Sequence, residues 1–335
     1  MTPPNSPTVL IIGAGAVGAF FGAVLARQGA AVSVVCRSDA AAVRSQGFRI
    51  VSPLLGTTTF RPATVYRSPE EAPPPDYLIL STKVLSGVDR AALIKPAVGP
   101  STTVVLMQNG VDIEADVAAQ FPGNELLSCI AYIAVARTGA GEIDHQSLGS
   151  LALGGYPSGI TPAAERLAGL FEQGGVKCRL VADVQSARWQ KALWNAAFNP
   201  LSLLGDGMDT ATLLGDASGE RLVRDLMHEV ASVAKAAGHT LAPTIIDQLV
   251  ATTRAIPAYK TSMALDLESG RPTEIEAILG NVVRTARKFS VPVPKLDMLY
   301  TLARIAEHAR AQTRAHNEVE EKKPPANPHV TVGRS

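Results

Sequence analysis

Val9-Leu10-Ile11-Ile12-Gly13-Ala14-Gly15-Ala16-Val17-Gly18 carries a short apolar run straight into three glycines spaced GxGxxG, and a helix-like stretch follows that ends near Gly29. A run of this length, without alternation, is the pattern of a strand buried on both faces of a parallel sheet. Gly13 permits the tight turn, Gly15 lets backbone approach a pyrophosphate, and Gly18 allows helix and strand to pack closely. Ala14, Ala16 and Val17 complete the turn, whose free N–H groups at the helix start suit a phosphate. Alone the motif also fits a merely glycine-rich turn. Its place at the first strand, inside a βαβ unit, favours a dinucleotide site.

Working outward, further apolar runs appear at Ala31–Val35, Tyr77–Leu80 and Thr103–Met107, separated by helix-like stretches. Strand candidates near residues 125–136 and 142–154 add a possible antiparallel extension, and Val176–Val181 reads as a last strand. From about Asp183 helical periodicity takes over, in segments near 184–203, 216–238, 243–255, 258–268, 273–289 and 294–312. The expected fold class is therefore α/β: an N-terminal Rossmann-type parallel-sheet domain, residues 1–182, and an all-helical C-terminal domain, residues 183–312. Residues 313–335 include Glu-Val-Glu-Glu-Lys-Lys-Pro-Pro from position 318 and read as a tail too polar to order itself.

Composition agrees with this division. The 335 residues suggest two domains at about 150 residues each. Charge is balanced, 31 Lys+Arg against 30 Asp+Glu, which gives no sign of nucleic acid or an anionic membrane as partner and points to a small molecule. Hydrophobic residues at 46% exclude a largely disordered chain, and aromatics at 5% argue against stacking platforms. Cys36, Cys129 and Cys178 lie far apart and, like the six histidines, show no metal-ligand spacing. They read as buried thiols of a reducing compartment, and no metal is expected. Met1–Pro7 has no basic, apolar leader, and no apolar run is long enough for a bilayer, so a cytoplasmic protein is expected, either monomer or homodimer.

The second strand ends Val35-Cys36-Arg37-Ser38, placing Arg37 where an acid would select NAD. An arginine there accommodates the 2′-phosphate of NADP, although Asp39 stands close enough to take the acidic role instead. Lys83 and Gln108-Asn109-Gly110 follow two strands at their carboxyl ends, where open parallel sheets bind ligands, though both also fit ordinary turns. Lys191, Asn195 and Asn199 lie at i, i+4 and i+8 on an otherwise apolar helix, a stripe that either faces solvent or lines a site. Beyond Ser262, Gly270 and Pro272 break two helices, and Thr273 with Glu276 reads as a capping box. Glu274 serves equally as a favourable first helical residue or as a site carboxylate.

Taken together, Gly13-Ala-Gly-Ala-Val-Gly18, Lys83, Gln108-Asn109-Gly110, Lys191 with Asn195 and Asn199-Pro200, Ser262-Met263, and Thr273-Glu274-Ile275-Glu276 with Gly280 resemble the ketopantoate reductase family, in order from about residue 8 to about residue 305. The resemblance implies a helical second domain like that of 6-phosphogluconate dehydrogenase relatives and reduction of a 2-keto acid by NADPH, typically ketopantoate to (R)-pantoate on the route to pantothenate. It further implies that Lys191 is the general acid, that Glu274 supports it, and that Asn109, Asn195, Asn199 and Ser262 orient substrate. Gly13 to Gly18, Arg37, Lys83 and Asn109 would meet the cofactor. Departures from the family pattern stand at Tyr259, where some members carry asparagine, at Leu265, which replaces a glutamine, and at Pro294-Lys295, which lacks an expected asparagine. They leave open a dehydrogenase of the same family acting on another 2-keto or 2-hydroxy acid. A cofactor-binding sensor without catalysis is the remaining alternative.

Overall fold

The computed structural model describes residues 6–321. Ten strands form one sheet: β1 (Thr8–Ile12), β2 (Ala31–Val35), β3 (Phe48–Ser52), β4 (Gly56–Phe60), β5 (Val65–Tyr66), β6 (Tyr77–Leu80), β7 (Thr103–Leu106), β8 (Leu126–Gly139), β9 (Glu142–Gly155) and β10 (Cys178–Leu180). Their order is β4-β3-β9-β8-β7-β6-β1-β2-β5, with β10 also on β9. From β8 through β5 every pairing is parallel, while β8–β9 and β3–β4 are antiparallel hairpins. The sheet is thus a parallel core with an antiparallel extension.

Helices α1 (Ala16–Arg27), α2 (Ala40–Gln46), α3 (Arg90–Ile94), α4 (Ala115–Gln120) and α5 (Pro162–Gln173) connect these strands. Val9 and Ile11 pack on one face with Phe20, Phe21, Leu167 and Phe171, whereas Leu10 and Ile12 pack on the other with Leu80, Ile94 and Val117. Covering both faces leaves no position from Val9 to Ile12 for a polar residue, which is why that run does not alternate.

The β3–β4 hairpin is absent from the sequence reading. Burial in β3 does alternate, and β4, Gly-Thr-Thr-Thr-Phe, is mostly exposed, so neither segment is a continuous apolar run. The hairpin also leaves β2 and joins the far side of the sheet on β9, a non-local pairing that no nearby residue announces.

From Val184 the described chain is helical: α6 (Val184–Leu204), α7 (Thr210–Gly215), α8 (Ala217–Ala236), α9 (Ile245–Ala255), α10 (Ser262–Glu268), a π-helical turn at Glu276–Gly280, α11 (Asn281–Lys288) and α12 (Pro294–Glu321). Asp183 caps α6 by accepting from Ser186 N at 2.9 Å. This helix is the spine of the second half, packing on α8, α10 and α12, with Trp189, Leu193, Ala196, Ala197 and Phe198 buried around it. A small cluster of Ile130, Ala152, Val181, Val184 and Ala187 ties it to the sheet.

Two expectations need correction. Helix α12 continues to Glu321, past residue 312 where the tail was expected to begin, because the helical run there has no breaker before Pro324; the rest of the expected tail and residues 1–5 lie outside the described residues. Thr273 and Glu276 do not form a capping box: Thr273 N and Oγ1 donate to Glu307 at 3.1 and 2.6 Å, and Glu276 turns to Arg284 and Tyr300. Tertiary partners take up both side chains in place of the local pair. All three cysteines are buried free thiols. Among the described residues no helix is long and apolar enough to cross a membrane.

Candidate active site

The parallel strands β1, β6 and β7 end on one edge, and their following turns interlock there. Gly13 has φ +96°, and a Cβ on it would meet Thr82 N at 2.5 Å. On Gly18 a Cβ would lie 2.5 Å from Ser81 Oγ and 2.8 Å from Gly13 O. Gly15 is different: a Cβ there would meet nothing nearer than Gly13 O at 4.0 Å. It is the exposed N-cap of α1 and brings no capping side chain, so the space before the helix N-terminus is open. Two glycines satisfy packing and the third keeps clear a position suited to a phosphate.

At the end of β2, Arg37 is exposed and has no hydrogen bond or ion pair among the described residues. Asp39, the alternative ribose partner, is buried and taken up: Arg137 Nη1 donates to it at 2.8 Å, Ser38 Oγ at 2.7 Å and Gly141 N at 3.2 Å. Those donors hold its carboxyl below the ordinary value against the opposing effect of burial.

The turn after β7 meets the helical half. Gly110 has φ +112°, and a Cβ on it would lie 2.8 Å from Ala277 O in the π-helical turn, so only glycine fits. Asn281 Nδ2 donates to Val111 O at 2.6 Å from α11. With the turn pressed against α6, Lys191 Nζ donates to Asn109 Oδ1 at 2.8 Å and to Ala131 O at 2.6 Å. Its ammonium also stands 5.6 Å from the centre of the Tyr132 ring. Asn109 Nδ2 reaches back to Glu274 Oε2 at 3.4 Å, and Glu274 Oε1 accepts from Val84 N at 2.9 Å. A cavity opens here between sheet and helices, bordered by Asn109, Gly110, Arg188, Lys191 and Asn195, with Ile130 and Ile278 as its apolar walls.

Desolvation shifts both ionisable groups. Burial, and then the Arg188 guanidinium, push the Lys191 ammonium down to about 8, while Glu274 and Cys129 oppose the shift. Burial pushes the Glu274 carboxyl up, opposed by Val84 N–H, Asn109 and Lys83. A lysine whose proton is exchangeable near neutral pH, held by two acceptors with a third N–H to spare, can donate that proton to a ligand in the cavity.

The sequence candidates are not all gathered here. Asn109, Lys191, Asn195 and Glu274 converge. Asn199 lies one turn further along α6, 1% exposed, with Oδ1 buried and unpartnered. Ser262 is exposed at the first turn of α10 and does not border the cavity. Lys83 is engaged across the cleft, 2.6 Å from the Asp266 carboxylate and donating to Pro272 O at 2.9 Å. Tyr259 stacks on Trp194 with ring centres 5.8 Å apart rather than lining the cavity.

Sequence reasoning assigned nothing to Arg188, Glu114 or Ser128. Arg188 and Glu114 form a buried ion pair beneath the cavity, and Ser128 Oγ donates to Glu114 at 2.7 Å. The one available signal was a second cation three residues before Lys191 on an apolar helix; its acidic partner is 74 residues away. Among the described residues no group of His, Cys, Asp or Glu could hold a metal ion.

Comparison with known proteins covers most of both the sheet half and the helical half. The family model described as ketopantoate reductase PanE/ApbA matches residues 9–158, and that described as ketopantoate reductase PanE/ApbA C terminal matches residues 183–307. The crystal structure of 2-dehydropantoate 2-reductase from Methylococcus capsulatus is 47% identical, covers 90% of this chain and 97% of its own, and superposes with a TM-score of 0.84. That from Geobacter metallireducens GS-15 is 33% identical, with 89% and 99% covered and a TM-score of 0.84. The 2-dehydropantoate 2-reductase of Nostoc sp. is 29% identical over 301 residues, 88% of this chain and 94% of that protein.

Proposed function

This chain belongs to the ketopantoate reductase family, and on that premise we propose that it reduces 2-dehydropantoate to (R)-pantoate with NADPH, Lys191 acting as proton donor. The observation that carries the reading is the Lys191 ammonium, fixed at 2.8 Å from Asn109 and 2.6 Å from Ala131 O on the border of the cleft cavity.

The residues present fit a dinucleotide. The open space before Gly15 suits the pyrophosphate, with Gly13, Ala14, Ala16, Val17 and Gly18 forming its turn. Unpaired Arg37 suits the 2′-phosphate, while Asp39, spent on Arg137, is no longer available for a ribose hydroxyl, which favours NADPH over NADH. NADPH, when bound, supplies the hydride for the carbonyl carbon.

As negative charge develops on the ketone oxygen, Lys191 Nζ stabilises it and transfers its proton there. Asn109 holds the ammonium in place and Glu274 holds Asn109. Asn195 offers a neutral amide to the substrate's oxygens, which orients an anion without a competing charge. We extend the substrate set to Asn199, whose buried Oδ1 suits a hydroxyl, and to Ser262. Lys83 acts at the nicotinamide end by clasping Asp266 and Pro272 across the cleft. The product is the acid that pantothenate synthesis consumes, so we place the enzyme in that pathway, in the cytoplasm, as a monomer or homodimer acting on a free small molecule.

Loss of NADPH absorbance measured against a panel of 2-keto acids tests the proposal. Fastest turnover on 2-dehydropantoate supports it. Preference for an aromatic or branched keto acid moves the chain to another activity of the same family, and tight NADPH binding with no turnover on any acid turns it into a sensor.

A further inference from the structure

We propose that Arg188 is a positioning residue for this reaction: it holds the Gln108–Gly110 turn against α6 so that Asn109 and Lys191 meet. The inference rests on the reading of Lys191 as proton donor.

Arg188 is 4% exposed, and its donors fan out over the turn. Nη1 donates to Gln108 O at 2.7 Å and to Gly110 O at 3.2 Å, the carbonyls on either side of Asn109. Nη2 donates to Leu106 O at 3.3 Å, at the end of β7. Nε donates to Ser128 Oγ at 2.7 Å on β8 and pairs with Glu114. Glu114, 1% exposed, accepts in turn from Ser128 Oγ at 2.7 Å and Ile113 N at 3.1 Å. Because Arg188 and Lys191 are three residues apart on one helix, their side chains leave the same face. One rigid helix therefore carries both the proton donor and the group that fixes the donor's partner.

Stability alone does not explain this arrangement. A well-packed apolar pair in the place of a buried ion pair is commonly as stable or more so. What an apolar pair cannot do is bind the two carbonyls flanking Asn109, and what a lysine cannot do is bind them with a planar fork. The charge matters as well. The groups facing the Lys191 ammonium are Arg188 from its own helix, Cys129 and the Tyr132 ring from β8, and Glu274 from the segment after α10. Of these, Arg188 alone adds a positive charge, and it favours release of the proton.

The test compares Arg188→Lys with the neutral pair Arg188→Gln/Glu114→Gln, each also in a Lys191→Met background. Turnover and NADPH affinity are measured together with the pH dependence of Lys191 acetylation by acetic anhydride, followed by mass spectrometry in the protein without ligands. Arg188→Lys should lower kcat about ten- to hundredfold, the scale of a small misplacement of reacting groups, with NADPH affinity within about twofold. It should cost nothing further once Lys191 is methionine. The neutral pair should shift the midpoint of Lys191 acetylation to higher pH. Arg188→Lys with kcat close to the parent, or an unmoved midpoint in the neutral pair, overturns the proposal. Should the neutral pair not fold, Arg188→Lys, which keeps the charge opposite Glu114, decides it alone. Lys191→Met with normal turnover instead refutes the proton-donor reading, and the acetylation midpoint still reports on Arg188.

Discussion

Replacing Lys191 with methionine keeps an unbranched side chain of similar length and removes the ammonium. In the parent, two of the three N–H donors are committed, at 2.8 Å to Asn109 Oδ1 and 2.6 Å to Ala131 O, which leaves one for the ketone oxygen. A positioned general acid contributes about 10²–10⁴ in rate, so kcat for 2-dehydropantoate should fall at least about a hundredfold. NADPH affinity should change little, because Lys191 lies on α6 and the phosphate cradle is built from β1 and α1. The pH profile sharpens the test. With the ammonium pushed down to about 8, roughly nine-tenths of the molecules carry the proton at pH 7 and roughly one-tenth at pH 9. Reduction needs the protonated form, so it should decline as pH rises through about 8, while the reverse oxidation needs the free amine and should rise through the same range. Initial rates from pH 6 to 10 at saturating substrates, NADPH oxidation with 2-dehydropantoate for the reduction and NADP reduction with pantoate for the reverse, supply both limbs. Turnover of Lys191→Met within about tenfold of the parent, or a basic limb that persists unchanged in the variant, would refute the assignment.

Three further outcomes follow from the same geometry. Arg37→Ala should weaken NADPH binding about ten- to hundredfold, the scale of a lost charge-assisted hydrogen bond, and leave NADH binding nearly unchanged; equal losses in a fluorescence titration would remove the 2′-phosphate contact. Glu114→Ala leaves the Arg188 guanidinium buried without its carboxylate and should cost about 3–5 kcal/mol in urea unfolding; a cost under about 1 kcal/mol would mean that water or another acceptor replaces it. Gly15→Val and Gly18→Ala should separate two roles of one motif. The first should fold normally and lose NADPH binding, since its Cβ meets only open space, and the second should lose about 1–3 kcal/mol of stability, since its Cβ falls 2.5 Å from Ser81 Oγ. Thermal melts with and without NADPH distinguish them.

Much of the architecture was legible because it is written locally. Strands β1, β2, β6 and β7 are short runs dominated by apolar, mostly buried residues, and α6 is marked by helical periodicity from about Asp183. The hairpin β3–β4 was not legible, because a half-exposed, threonine-rich segment satisfies its backbone with strands remote in sequence. Asp39 shows the same limit on the scale of one side chain. From position it stood close enough to Arg37 to take the acidic role, and the β8–β9 hairpin, by supplying Arg137, engages its carboxylate instead.

The sequence by itself determined the glycine turn, the sheet-then-helix order and the polar stripe Lys191-Asn195-Asn199, since φ, periodicity and burial are properties of neighbouring residues. Only the tertiary structure decided what that stripe meets. Lys191 meets Asn109 across 82 residues, Asn109 meets Glu274 across 165, and Arg188 meets Glu114 across 74. A lysine ammonium pushed down to about 8 exists only where those segments converge, because desolvation and a neighbouring charge, not the identity of the lysine, lower its affinity for the proton.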